Sequence, residues 1–103
     1  MQMVPRSQEK TTLTKELVVQ NRSGIHARVS TMIVHRCKGF TSAIRLRNGK
    51  AVADCRSVLD LLSLGASNGT VVLLETTGED AAEVVKVMTA LFEARFNEDD
   101  ESL

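Results

Sequence analysis

Residues 42–54 constrain the fold of this 103-residue chain more than any other stretch. Ser42-Ala43-Ile44-Arg45-Leu46-Arg47 alternates with period two, and Asn48-Gly49 is the favoured pair for a type I′ turn. Lys50-Ala51-Val52-Ala53-Asp54 then returns. The segment reads as a β-hairpin, and a two-stranded hairpin is marginal on its own in water. Its apolar face needs further elements to cover it.

The rest of the chain supplies them. A strand is expected over residues 12–20, with Leu17 and Val19 one two-residue step apart. Asn21-Arg22-Ser23-Gly24 is turn chemistry leading into a helix from about His26 to Cys37. Val29, Met32, Ile33 and Cys37 form its apolar stripe. Arg28, Thr31, His35 and Lys38 fall opposite, and Gly39 is the expected stop. Ser57-Val58-Leu59-Asp60 reads as a capping box opening a short helix that ends at Leu62 or Ser63. After the turn Ser67-Asn68-Gly69, residues 70–76 suit a central strand. Gly78-Glu79-Asp80 opens a last helix with acid at its positive end; its stripe is Ala81, Val84, Val85, Met88, Leu91, Phe92 and Phe96. The order strand, helix, strand, strand, helix, strand, helix implies an α+β sandwich, with three helices covering one face of a four-stranded antiparallel sheet. Residues 1–11 are expected to be a disordered extension, 12–97 the domain, and 98–103 an acidic tail that frays.

Composition excludes several classes. Thirteen basic and thirteen acidic side chains cancel, so no bulk attraction to nucleic acid or to an anionic membrane is expected. Phe40, Phe92 and Phe96 are the only aromatics, which argues against a base-stacking surface. The first residues lack the apolar core of a signal peptide and no apolar run is long enough to span a bilayer, so a cytoplasmic protein is expected. Cys37 and Cys55 form no CxxC and read as reduced, buried thiols. A zinc site from His26, His35, Cys37 and Cys55 would match no known spacing.

Gly24-Ile25-His26-Ala27-Arg28 carries the chemistry. It sets a histidine at the start of a helix, where unpaired N–H groups and the helix dipole favour an anion. An unprotonated imidazole nitrogen there can attack phosphorus and become the phosphate carrier, and Arg28 can neutralise the oxygens. The pattern points to phosphoryl transfer through a phosphohistidine. His35, on the polar side of its helix, reads as background. Val58, Leu59, Leu61 and Leu62 cannot all be buried in so short a helix. Val58, Leu59 and Leu62 are therefore candidates for an apolar docking patch beside His26, while Met32 is assigned to the core.

The element order and these motifs resemble the HPr family, the histidine-containing phosphocarriers of the bacterial phosphoenolpyruvate:sugar phosphotransferase system. The resemblance rests on Gly24-Ile25-His26-Ala27-Arg28 and, in register, on Arg56-Ser57-Val58-Leu59 with Leu62-Ser63-Leu64-Gly65-Ala66. Gly69 and Gly78-Glu79-Asp80-Ala81 match as well. It covers residues 12–97 and implies an open-faced β-sandwich, βαββαβα, with sheet order 1-4-2-3. It also implies phosphorylation of His26 on Nδ1 by phospho-enzyme I, then transfer to a histidine of a IIA-type acceptor. Such a protein is a stoichiometric carrier, not an enzyme in the usual sense. It is expected to be monomeric, to need neither cofactor nor metal, and to bind partners weakly. In some relatives the serine corresponding to Ser57 is phosphorylated by an HPr kinase and read by regulatory proteins.

Where the family usually has proline after His-Ala-Arg, this chain has Val29. Its C-terminal residues 90–99 look more like the nitrogen-related NPr branch, which works in regulation. Two rivals remain at this stage. One is a regulatory binding module of the same fold that docks through residues 57–62 without transferring phosphate. The more remote one is an enzyme built on Cys37, for which no motif places a base.

Overall fold

The computed structural model describes residues 11–98. The chain runs β1 (Thr12–Val18), α1 (Ala27–Cys37), β2 (Ala43–Asn48), β3 (Ala51–Asp54), α2 (Val58–Ser63), β4 (Val71–Thr77) and α3 (Ala81–Glu93), then a 3₁₀ turn at Arg95–Asn97. The sheet order is β1-β4-β2-β3 with every pair antiparallel. The expected fold is the observed one.

Period-two alternation decides which strand residues meet the helices. Leu17, Ile44, Leu46, Ala53, Val72 and Leu74 are buried, and their strand neighbours turn outward. α1 adds Val29, Ile33 and Cys37, α2 adds Leu61, and α3 adds Val84, Met88, Leu91 and Phe92. Met32, assigned to the core from sequence, is only half-buried and packs at its rim. Among the described residues no helix is long and apolar enough to cross a membrane.

Four local expectations need correction. Asn48 pairs with Ala51, so Gly49 and Lys50 occupy the hairpin turn. Of these only Gly49 has positive φ, at 62°, which has the signs of a type II′ turn and not of type I′. Asn48 is then free to donate its side-chain amide to Leu64 O at 2.9 Å, tying the hairpin to the end of α2. Gly39 does not take a left-handed conformation. Instead the Arg56 guanidinium donates to the carbonyls of Cys37, Phe40 and Ser42 at 3.0, 2.5 and 3.0 Å, satisfying backbone acceptors at and beyond the end of α1.

The capping box at α2 is half formed. Ser57 Oγ accepts from the Asp60 amide at 3.1 Å, but Asp60 Oδ2 reaches the Asp54 amide at 3.0 Å, because Ser57 N already donates to Asp54 O. Phe96, finally, does not extend the α3 stripe. Arg95, Phe96 and Asn97 all have positive φ, at 54°, 55° and 58°. Left-handed backbone costs about 1–2 kcal/mol per non-glycine residue, so something must hold this turn. Phe96 does so: it is fully buried and meets Phe92 edge-on with ring centroids 4.8 Å apart. Complete burial of a phenylalanine, at about 1.5–3 kcal/mol plus the aromatic contact, offsets much of that strain.

Asp80 straps α3 to the loop before β2. Its carboxylate accepts from the amides of Thr41 and Ser42 at 2.9 Å each and from the Ser42 hydroxyl. The Ser42 hydroxyl and the Thr41 amide hold its carboxyl down to about 2.

Candidate functional site

The loop between β1 and α1 is braced by the loop before β4. Val19 N donates to Thr70 O at 2.9 Å, Gly69 N to Val19 O at 2.7 Å, and Ile25 N to Ala66 O at 3.0 Å. The Asn68 side-chain amide donates to Gln20 O and Asn21 O at 3.1 and 3.2 Å. Gly24 makes this closeness possible: its φ is +71°, and a Cβ there would lie 2.7 Å from Ala66 O and 2.8 Å from Ser67 Cα. The glycine of the Gly-Ile-His-Ala-Arg motif therefore sets where the histidine sits.

His26 is the N-cap of α1. Its Nδ1 accepts from the Arg28 amide at 3.2 Å, and Nε2 lies 2.6 Å from Glu98 Oε2. An Nδ1 that accepts carries no proton, so the proton sits on Nε2 and is donated to the carboxylate. The ring is thus held as the Nε2–H tautomer with its Nδ1 lone pair at the mouth of the helix. The His26 side chain is 33% exposed, enough for a reacting group to reach it. Arg28 donates from its guanidinium to the same Glu98 Oε2 at 2.5 Å.

Glu98, grouped from sequence with the fraying tail, is part of this cluster; residues 99–103 lie outside the described residues, as does the expected extension apart from Thr11. Its side chain is only 6% exposed, and its second oxygen accepts from the Asn21 amide at 2.8 Å. Asn21, fully buried, donates its other N–H to Gly24 O at 2.8 Å and so joins the tail to the motif loop. Burial works to raise the Glu98 pKa. Hydrogen bonds from Arg28, Asn21 and His26 outweigh it and hold the carboxyl below its ordinary value. The three bonds are unequal. Arg28 is 70% exposed, so solvent screening leaves that pair about 1 kcal/mol or less. The sheltered bond to His26 is the firmer link.

The structure brings His26 and Arg28, both singled out from the sequence, together with Asn21 and Glu98, which were not. Asn21 looked like ordinary turn chemistry, and Glu98 looked like one acid in a charged run. The available signal was Phe96, an apolar residue four positions after Phe92 that anchors the turn carrying Glu98. Ser57 stands at the start of α2, which packs against α1. Leu59 is 75% exposed and Leu62 is exposed, whereas Val58 is half-buried. Val29 is fully buried and α1 starts normally despite the missing proline.

The thiols are free and buried. The neighbouring Cys37, together with burial, pushes the Cys55 thiol well up. Cys37 is 1% exposed, so no substrate reaches its sulfur, which argues against a cysteine enzyme. Among the described residues no three His, Cys, Asp or Glu side chains are grouped to hold a metal ion.

Comparison with known proteins identifies the family to which this fold belongs. Residues 13–94 match the family described as the PTS HPr component phosphorylation site. The phosphocarrier protein HPr of Xylella fastidiosa is 36% identical over 87 residues, covering 84% of this chain and 98% of its own. The phosphocarrier protein NPr of Proteus mirabilis is 34% identical over 89 residues, covering 85% and 99%. The crystal structure of HPr-C-His from Thermoanaerobacter tengcongensis superposes with a TM-score of 0.80 at 30% identity, covering 84% of this chain and 98% of that one. The chain belongs to the HPr family of the phosphotransferase system, whose members are phosphocarriers and not catalytic enzymes proper.

Proposed function

We propose that His26 is the residue that carries the phosphoryl group, receiving it from phospho-enzyme I and delivering it to a IIA-type acceptor in sugar uptake. The observation that carries this reading is the Nδ1 lone pair at the N-terminus of α1, with the ring proton on Nε2 against Glu98. Nδ1 attacks the phosphorus of the donor phosphohistidine. The new N–P bond forms as the donor's N–P bond breaks, and that electron pair returns to the donor nitrogen. No proton has to leave His26, because Nδ1 holds none. The transferring phosphoryl oxygens then meet the first-turn amides of α1 and the Arg28 guanidinium, whose exposure lets it swing from Glu98 toward the phosphate. Onward transfer is the same step reversed against the acceptor's histidine.

Leu59 and Leu62, with the half-buried Val58, serve as the apolar patch on which both partners dock in turn, and Ser57 acts as the cap of α2. The nitrogen branch is the second reading of the pathway. It is favoured by residues 90–99, which resemble NPr and include Glu98, whose carboxylate reaches His26.

The test is incubation with enzyme I and labelled phosphoenolpyruvate, comparing the native chain with His26→Ala. Acid-labile, alkali-stable label on the native chain alone supports the reading. A labelled His26→Ala chain contradicts it, and an unlabelled native chain leaves the non-transferring binding module in its place. Onward transfer to IIA domains of the sugar and nitrogen types then separates the branches.

A further inference from the structure

We infer that Glu98 is a positioning residue for phosphoryl transfer: its carboxylate fixes His26 in the tautomer that presents a bare Nδ1 and then stabilises the cationic ring that phosphorylation creates. The inference rests on His26 as the carrier. Neutral imidazole in water populates both tautomers, and only the form with hydrogen on Nε2 can attack from Nδ1 without first losing a proton. In this chain a sheltered carboxylate oxygen lies 2.6 Å from Nε2, and it is held from its other side by Asn21 at 2.8 Å. Once Nδ1 bonds to phosphorus while Nε2 keeps its hydrogen, the ring bears a formal positive charge. Glu98 then faces a cation in place of a neutral ring. A carboxylate orienting a histidine and stabilising its imidazolium is the role of the acid in serine-protease triads.

The fold supports this assignment independently of the hydrogen bonds. Three successive non-glycine residues adopt left-handed backbone at 95–97, and buried Phe96 pins that turn, so that the next residue reaches a site more than seventy positions earlier in the chain. The same Oε2 accepts from Arg28, so the carboxylate also parks the guanidinium beside the ring until a phosphoryl group competes for it.

The experiment compares the native chain with Glu98→Gln and Glu98→Ala, each ¹⁵N-labelled at histidine. Ring ¹⁵N shifts of the unphosphorylated proteins at alkaline pH read the tautomer directly, with His35 as the internal reference. The native His26 and the Gln variant should show a protonated Nε2, since the amide oxygen still accepts, while the Ala variant shows a mixture. Labelling from phospho-enzyme I should slow about tenfold in Glu98→Ala, the lower end of what loss of a ring-orienting partner costs elsewhere. Glu98→Gln should fall between, because it keeps the tautomer and loses the charge. An unchanged tautomer and an unchanged labelling rate in Glu98→Ala would overturn the assignment. If the native chain took no label while its tautomer depended on Glu98, the carrier reading would fail and the positioning of the ring would stand.

Discussion

The beginnings of α1 and α2 look alike and differ in charge. α1 and α2 each start on a side chain that accepts an amide: His26 Nδ1 from Arg28 at 3.2 Å, and Ser57 Oγ from Asp60 at 3.1 Å. The first turn of α1 has no acidic residue and presents Arg28; Glu98 approaches on the far nitrogen of the ring. The start of α2 carries Asp60, and Asp54 accepts from the Arg56 amide at 2.9 Å. The Arg56 guanidinium is turned away to the carbonyls of Cys37, Phe40 and Ser42. Arg28 follows His26 by two residues, whereas Ser57 has Asp54 three residues before it and Asp60 three residues after it. The helix dipole alone, worth about 0.3–1 kcal/mol at an exposed end, does not decide where a dianion settles; the side chains beside the cap do.

The largest break in this contrast should come from Arg28→Ala. Losing a charged donor to the transferring group should slow labelling by phospho-enzyme I about a hundredfold, with Arg28→Lys intermediate. Rapid-quench labelling measures it, and a native rate in Arg28→Ala would remove the charge distinction between the two helices. Gly24→Ala comes next. Its left-handed backbone and the clash with Ala66 and Ser67 should cost about 2–4 kcal/mol of stability in urea unfolding. Removing the other cap is milder: Ser57→Ala should cost about 1 kcal/mol while labelling of His26 stays at the native rate. A slowed rate there would mean that the two helix ends do not act separately.

The smallest effect belongs to acid titration of the strap between α3 and β2. The Asp80 carboxyl is lowered to about 2 from an ordinary 3.8. Its contribution is therefore complete above pH 3.8 and is lost as pH falls through 2. Stability measured from pH 5 to 2 should fall less steeply in Asp80→Asn than in the native chain. The lowered Glu98 carboxyl acts in the same direction at the site, where its docking on His26 should weaken as pH drops below the usual carboxylate range.

Strand and helix types were legible because burial imposes a period, and that period survives in Leu17, Ile44, Leu46 and the α1 stripe. His26 and Arg28 were legible because the motif is local and its chemistry needs adjacent residues. What escaped depends on contacts between distant segments. Asp60 could have closed its own capping box, but the Asp54 amide was a better-placed donor. Gly39 was not needed as a left-handed stop once Arg56 covered the carbonyls. Phe96 kept a helical spacing from Phe92, yet the chain reversed hand between them. Glu98 reaches His26 only through that reversal, and no period or motif encodes the contact.

The central claim is that phosphate enters at the nitrogen that caps α1. ³¹P and imidazole ¹⁵N spectra of the chain after phosphorylation by enzyme I and phosphoenolpyruvate test it most directly. The account predicts a phosphoramidate on Nδ1 of His26, Nε2 still protonated, and a displaced Arg28 amide resonance as its hydrogen bond to Nδ1 is lost. Phosphate on Nε2, or a stable phosphoester at Ser57 with the His26 ring unchanged, would contradict it.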